Sequence, residues 1–261
     1  MPFPLLTLRH TLPQRAKRGS EGSVLPSVTV VIPFYNCPYI GQAVASVLGQ
    51  SYTNIEVIVV DDGSTMHQHL LDPYRSRIVY LRKSNGGTAS ALNYGMQRAA
   101  GRYVAWLSSD DVFVRDKIVN QVSFMEEKRA QYSFTDYHTI NASNQITQYC
   151  STMKFPTEKA FVSALLDYCP INGCTVMMLR NLAEAVGWFN PGLPYTHDYD
   201  MWVRIALNGV GMHFLNEPLT LYRRHSAMGT IQRGSQVAAE FESMRAYYAP
   251  MLRQRLAGMP G

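Results

Sequence analysis

The chain has 261 residues, 46% of them hydrophobic and 16% charged, with a formal net charge of +5. This composition excludes collagen-like, coiled-coil and wholly disordered classes, and the length is ample for a buried core. A pI near 9.0 raises nucleic acid or an anionic surface as a partner. However, Arg9, Arg15, Lys17 and Arg18 against Glu21 place +3 of the surplus in residues 1–26, so no nucleic-acid partner is expected.

Residues 1–26 carry Pro2, Pro4, Pro13 and Pro26 among glycines and serines and read as a basic N-terminal arm. Two roles stand for it. One is a spacer. The other is peripheral contact with an anionic membrane, through its cations beside Leu5, Leu6 and Leu8. The basic cluster follows the short apolar stretch, which is the wrong order for a signal peptide. No apolar run approaches the ~20 residues of a membrane-spanning helix. Cys37, Cys150, Cys169 and Cys174 show no metal spacing and read as free thiols, so a cytoplasmic setting is the expectation.

Val28-Thr-Val-Val-Ile32 is a β-branched run and predicts a buried strand, ended by Pro33. Asn36 and Pro38 suit a helix start, and Ile40, Val44, Val47 and Leu48 give that helix an apolar stripe. Ile55–Val60 predicts a second strand, stopped by Asp61-Asp62-Gly63-Ser64, and Ile78–Leu81 a third. Gly86-Gly87-Thr88 precedes a helix with Ala89, Leu92 and Met96 inward; Tyr103–Leu107 predicts a fourth strand, ending at Ser108-Ser109-Asp110-Asp111. Strand and helix alternate, which predicts an α/β fold with a mostly parallel central sheet covered by helices on both faces. Further on, helices are expected at 115–128, 157–167 and 198–208, and strands at 132–137, 174–179, 212–215 and 219–223. The organisation expected is the arm at 1–26, one domain at 27–230 with halves meeting near residue 112, and a helical tail at 231–261.

In such sheets ligands bind beyond the carboxyl ends of the strands. Polar clusters stand at those ends. Asp61-Asp62 offers acceptors for a base N–H or ribose hydroxyls, or is a simple Asp-Gly turn. The amides of Asn85-Gly86-Gly87-Thr88 suit a phosphate or sugar oxygen at a helix start, or form a plain N-terminus. Asp110 and Asp111 repel unless they face solvent or share a cation, and oxygen ligands there suit Mg²⁺ or Mn²⁺ on a diphosphate. Tyr195-Thr-His-Asp-Tyr-Asp-Met-Trp202 puts Asp198 near a helix N-terminus, where its pKa is expected to fall, or where Asp198 and Asp200 are helix caps. Tyr222-Arg223-Arg224-His225 offers a phosphate clamp and an imidazole ligand, or a solvated basic turn.

Taken together, VTVVIPFYN, SYTNIEVIVVDDGST, NGGTASALNYG, AAGRYVAWLSSDD and THDYDMWVRIALNG resemble, in order and spacing, the family 2 glycosyltransferases, over about residues 28–226. The resemblance implies the GT-A fold, with a smaller acceptor-side sheet region, and inversion at the sugar carbon. It also implies roles by position. Pro33, Tyr35, Asp61 and Asp62 would form the pocket for the donor's base and ribose. Asn85, Gly87 and Asn93 would contact the donor, and Gly173–Arg180 with Val186–Phe189 would form the acceptor side. Asp110 and Asp111 would hold Mn²⁺ or Mg²⁺, and Asp198 would be the general base. Trp202 and Arg204 would support that helix, and Arg223 and His225 would belong to a segment closing over the diphosphate, with His225 a metal ligand. Ser108, His197 and Cys37 depart from the family pattern, His197 replacing the usual Glu before the base. The expected activity is transfer from a nucleotide-sugar, UDP-linked, to a glycan or lipid-linked acceptor hydroxyl in surface polysaccharide synthesis. A non-catalytic nucleotide-sugar binder of the same fold and a sugar nucleotidyltransferase are the alternatives.

Overall fold

A computed structural model describes residues 25–260, so the arm lies, but for its last two residues, outside the described part. The first strand, β1 (Val28–Phe34), carries five consecutive β-branched residues and is almost wholly buried. It pairs in parallel with β2 (Ile55–Asp61) on one side and β4 (Tyr103–Trp106) on the other. The β3 strand (Val79–Arg82) adds outside β2 as an edge. Helices α1 (Ile40–Leu48) and α2 (Gly87–Met96) make the crossovers, and a 3-10 segment (Gln68–Arg77) precedes β3.

The second half extends the same sheet. It supplies β5 (Val112–Phe113), α3 (Lys117–Lys128), β6 (Tyr132–Ile140), β7 (Ile146–Gln148), α4 (Glu158–Ala164), β8 (Met177–Leu179), α5 (Arg180–Ala185), α6 (His197–Leu207) and β9 (Phe214–Arg223). Strand order is β3-β2-β1-β4-β8-β6-β9-β5, with β7 on β6. The β8 strand runs antiparallel to β4 and β6, so the sheet is parallel from β3 to β4 and mixed beyond it. The chain closes with α7 (Gly229–Gln232) and the long α8 (Gly234–Ala257), which packs on α4 and α6.

Two expected strands, 212–215 and 219–223, are one strand, β9. Its pairing with β6 runs through Pro218, the partner of Asp136, with a register shift on either side of Asp136. Residues 174–179 begin as a 3-10 turn (Gly173–Thr175) before β8. Trp106 lies against the turn and demands glycine at 173. A Cβ on Gly173 would stand 2.1 Å from the Trp106 ring. Strand β1 runs one residue beyond Pro33, and α1 starts at Ile40 without a side-chain cap. Asn36 is at φ 50 and instead clamps a loop, its Oδ1 accepting from Thr65 N and Met66 N at 2.8 and 2.9 Å.

Candidate active site

The carboxyl ends of β1, β2 and β4 bring Pro33 and Tyr35, Asp61-Asp62 and Asp110-Asp111 to one edge, as expected for ligand binding in such a sheet. Pro33 is half-buried and Tyr35 exposed. Asp61 is buried. Its Oδ1 accepts from Ser64 N at 2.7 Å, its Oδ2 accepts from Tyr80 OH, and Arg82 lies 3.7 Å away.

Asp62 is a hub. It accepts from Gly86 N at 3.0 Å, Gly87 N at 2.8 Å and Lys83 Nζ at 2.6 Å. Its carbonyl accepts from Asn85 Nδ2 at 3.0 Å. The glycine amides expected to meet a ligand phosphate are therefore spent on Asp62: the nearest anion to this helix N-terminus is the chain's own carboxylate. Gly63, at φ 81, makes this possible, since a Cβ there would press on Asn85 N at 2.9 Å. Asn93, expected as a donor contact, is likewise engaged by the chain. Its amide exchanges two hydrogen bonds with the Phe189 backbone, at 2.7 and 3.0 Å, and ties α2 to the segment before α6.

The acidic pair is asymmetric. Asp111 is buried; its Oδ1 accepts from Arg223 N at 2.7 Å and its Oδ2 has no partner among the described residues. Burial, and then the charge of Asp110, push its carboxyl well above the usual range. Behind it Cys174 Sγ takes a hydrogen bond from Ser108 N and gives one to Ser108 Oγ, so Ser108 braces the turn. Asp110 is more open, with Oδ2 3.1 Å from His225 Nε2. Arg223 is not free for a phosphate. It is fully buried, and its guanidinium donates to Asp110 O at 2.7 Å, Asn141 O at 3.1 Å and Gln42 Oε1 at 2.9 Å. Tyr39 packs under both Arg223 and His225, at 4.3 Å to the guanidinium carbon and 5.3 Å between rings. The sequence reading missed Tyr39 and Gln42 because their partners lie about 180 residues away.

Helix α6 carries Asp198 in its first turn. Asp198 Oδ1 accepts from Tyr199 N at 2.8 Å. The expected fall in its pKa does not occur. Burial outweighs the helix terminus and His197, and the charge of Glu240 adds to it, so the carboxyl is raised. This makes Asp198 a better base than the sequence suggested. His197 is buried between Trp106 and Phe189, with ring centroids 5.6 and 5.7 Å apart, and neither ring nitrogen has a partner among the described residues. Asp200 is no cap: it pairs with Arg204 at 2.6 Å and accepts from Tyr248 OH at 2.6 Å. Arg204 in turn holds the carbonyls of Val186 and Trp188. The four cysteines are free thiols.

Among the described residues no group of three or more His, Cys, Asp or Glu is arranged to hold a metal ion. A smaller set of donors is present: Asp110 Oδ2 and His225 Nε2 stand 3.1 Å apart, and Asp111, next in sequence to Asp110, has an Oδ2 without a partner among the described residues. Mg²⁺ and Mn²⁺ take few protein ligands when phosphate oxygens and waters complete the sphere.

The family model described as "Glycosyl transferase family 2" matches residues 29–187. An uncharacterized glycosyltransferase of Rickettsia typhi is 34% identical over 230 residues, covering 86% of this chain and 72% of that protein. A counterpart in Rickettsia felis is 35% identical over 213 residues but is much longer, the chain spanning 35% of it. An Escherichia coli UDP-Glc:alpha-D-GlcNAc-diphosphoundecaprenol beta-1,3-glucosyltransferase is 36% identical over 205 residues, covering 76% of this chain and 78% of that one. S. aureus TarS in complex with UDP-GlcNAc shares the fold at a TM-score of 0.65 and 18% identity, over 88% of this chain and 71% of that one. A Pyrobaculum calidifontis mannosyltransferase in complex with GDP-Man and Mn²⁺ does so at 0.63 and 20%, over 88% and 69%. The chain therefore belongs to glycosyl transferase family 2 and is a glycosyltransferase with the GT-A fold.

Proposed function

We propose that the chain moves a sugar from a UDP-sugar to an acceptor hydroxyl, with inversion, in the assembly of a surface polysaccharide. The observation that carries this reading is the Asp110 Oδ2–His225 Nε2 pair at 3.1 Å, with the buried Asp111 next in sequence and its Oδ2 unpartnered among the described residues, at the sheet edge that also carries the Asp61-Asp62 loop. Pro33, Tyr35, Asp61, Asp62, Asn85 and Gly87 frame the base and ribose. Because Asp62 is saturated by the 83–87 loop, its part is to hold that loop against the donor. Asp110, Asp111 and His225 would hold Mn²⁺ or Mg²⁺, which when bound neutralises charge on the leaving diphosphate. Asp198 takes the acceptor proton, the freed oxygen attacks the anomeric carbon, and the bond to the diphosphate breaks with its electron pair leaving on the diphosphate. Arg223 keeps Asp110 in place from behind.

The similar E. coli enzyme is named for a lipid-linked GlcNAc-diphosphate acceptor. A lipid-linked acceptor would bring the membrane surface near, and the basic arm at residues 1–26 suits contact with it. The test is a panel of UDP-glucose, UDP-GlcNAc and GDP-mannose with a short-chain α-GlcNAc-diphosphate lipid, with Mn²⁺, Mg²⁺ or EDTA, read by released nucleoside diphosphate. Metal-dependent UDP release is expected. UDP binding with no turnover of any donor would overturn the reading in favour of a non-catalytic binder. Deleting residues 1–26 should lower binding to anionic liposomes.

A further inference from the structure

Arg223 ends β9 and carries a charge into the interior. It is fully buried, yet every acceptor of its guanidinium is uncharged: the main-chain carbonyls of Asp110 and Asn141 and the side-chain amide of Gln42. A buried cation with neutral acceptors needs its faces covered as well. The Tyr39 ring covers one, with the guanidinium carbon 4.3 Å from its centroid. The same ring meets the His225 imidazole, at 5.3 Å between centroids and 53° between planes. Arg223 and His225, two residues apart, therefore share one aromatic support.

Helix α1 puts Tyr39 and Gln42 in place. Tyr39 immediately precedes the helix, and its carbonyl accepts from Gln42 N at 2.9 Å and Ala43 N at 3.2 Å, so the first turn fixes it. Gln42 follows three residues on, on the same side of that turn. One turn further, Ser46 Oγ accepts from Phe113 N at 3.1 Å, which seats α1 on the strand that follows the acidic pair. Two routes then run from α1 to Asp110. Gln42 Oε1 accepts from Arg223 Nη2 at 2.9 Å, and Arg223 Nε donates to Asp110 O at 2.7 Å. The Tyr39 ring supports His225, whose Nε2 stands 3.1 Å from Asp110 Oδ2. One route ends on the main chain of Asp110 and the other on its carboxylate.

We propose that Tyr39 and Gln42 are positioning residues for the metal site: they fix Arg223 and His225, and these two fix Asp110. No step of the chemistry is assigned to either. This rests on the reading above, in which Asp110, Asp111 and His225 hold Mn²⁺ or Mg²⁺. An imidazole held at its edge by Asp110 and on its face by Tyr39 loses both contacts if it turns. Removing a support of this kind behind a metal ligand costs about 10–100-fold in metal affinity.

Mn²⁺ is titrated into the full chain at saturating UDP and followed by loss of the free-ion EPR signal. UDP affinity is measured by calorimetry with Mn²⁺ and with EDTA. Tyr39→Leu removes the ring and should weaken Mn²⁺ about tenfold or more. Gln42→Leu, at an exposed position, should weaken it about three- to tenfold, and it decides the matter alone if Tyr39→Leu does not fold. Tyr39→Phe keeps the ring and Gln42→Glu keeps an acceptor for Arg223, so both should stay within about threefold of the parent protein. UDP affinity in EDTA should hold in all four, so that only the gain conferred by Mn²⁺ falls in the Leu variants. The proposal is overturned if the Leu variants take up Mn²⁺ as the parent does, if the Phe and Glu variants lose as much as the Leu variants, or if UDP affinity in EDTA falls in step with Mn²⁺ affinity, the mark of a merely structural role. Failure of the metal reading appears separately, as a parent protein that takes up no Mn²⁺ in the presence of UDP, and it would take the proposal with it.

Discussion

Glu240 of α8 and Thr196, the residue before α6, are joined by two hydrogen bonds to one oxygen: Glu240 Oε1 accepts from Thr196 N and Thr196 Oγ1, each at 2.7 Å. Tyr195 N adds a third at 2.9 Å. The last helix of the chain therefore caps the helix that carries Asp198, and a carboxylate there also meets the positive end of the helix dipole. Glu240→Ala should lower stability by about 1–2 kcal/mol and reduce turnover with UDP affinity unchanged. Glu240→Gln keeps an acceptor oxygen but removes the charge that helps hold Asp198 up, so the acid limb of the rate profile should move to lower pH. A limb that stays in place in Glu240→Gln would disconnect the cap from the base.

Asp198 must be ionised to accept a proton. Its carboxyl is raised by burial, so activity should climb with pH through a midpoint above the usual carboxylate range. The charged groups bearing on it are His197, which lowers it, and Glu240, which raises it. Asp198→Asn should cost roughly 10³-fold or more in turnover while UDP binding stays near that of the parent. Near-normal turnover in this variant would remove Asp198 from the mechanism.

Lys117 is fully buried and has no carboxylate partner among the described residues. Its ammonium reaches Gln121 Oε1 and Thr175 O, at 3.4 Å for the latter, over the Phe113 ring. Burial lowers its pKa to about 7. The unfolded chain then binds a proton that the folded chain lacks between pH 7 and the ordinary lysine value. Stability should rise with pH across that window, by about 1.4 kcal/mol per unit from this residue. Lys117→Met should flatten that part of the curve. Parallel denaturation curves for the two proteins from pH 7 to 10 would contradict it.

Gly173→Ala tests the contact between the 3-10 turn and Trp106. A methyl 2.1 Å from the ring forces the ring or the turn to move. Since Trp106 packs on His197 and Phe189, the shift should reach α6, which carries Asp198. The expected cost is about 1–3 kcal/mol of stability, with a larger fall in turnover than in UDP affinity. Unchanged thermal unfolding would show that the site relaxes freely.

The elements of the first half were legible because their signals are local. Five β-branched residues make β1, and Asp-Gly and Gly-Gly steps punctuate the strands that follow. The order of these motifs was enough to identify the family. The second half was read less well: strands were expected at 212–215 and 219–223 where β9 is one strand, and a two-residue β5 has no periodicity to detect.

What the amino-acid order determined by itself was which residue types stand at the strand ends and in what succession. Only the tertiary structure decided how those residues are used. Asp62 consumes the glycine amides that looked ready for a phosphate. Arg223 is buried as a strut because Gln42 and Asn141 come to meet it. Asp198 is raised rather than lowered because burial acts on it more strongly than its helix. Each outcome depends on desolvation or on a partner far along the chain, and a hydrogen bond between residues 181 positions apart leaves no trace in local spacing.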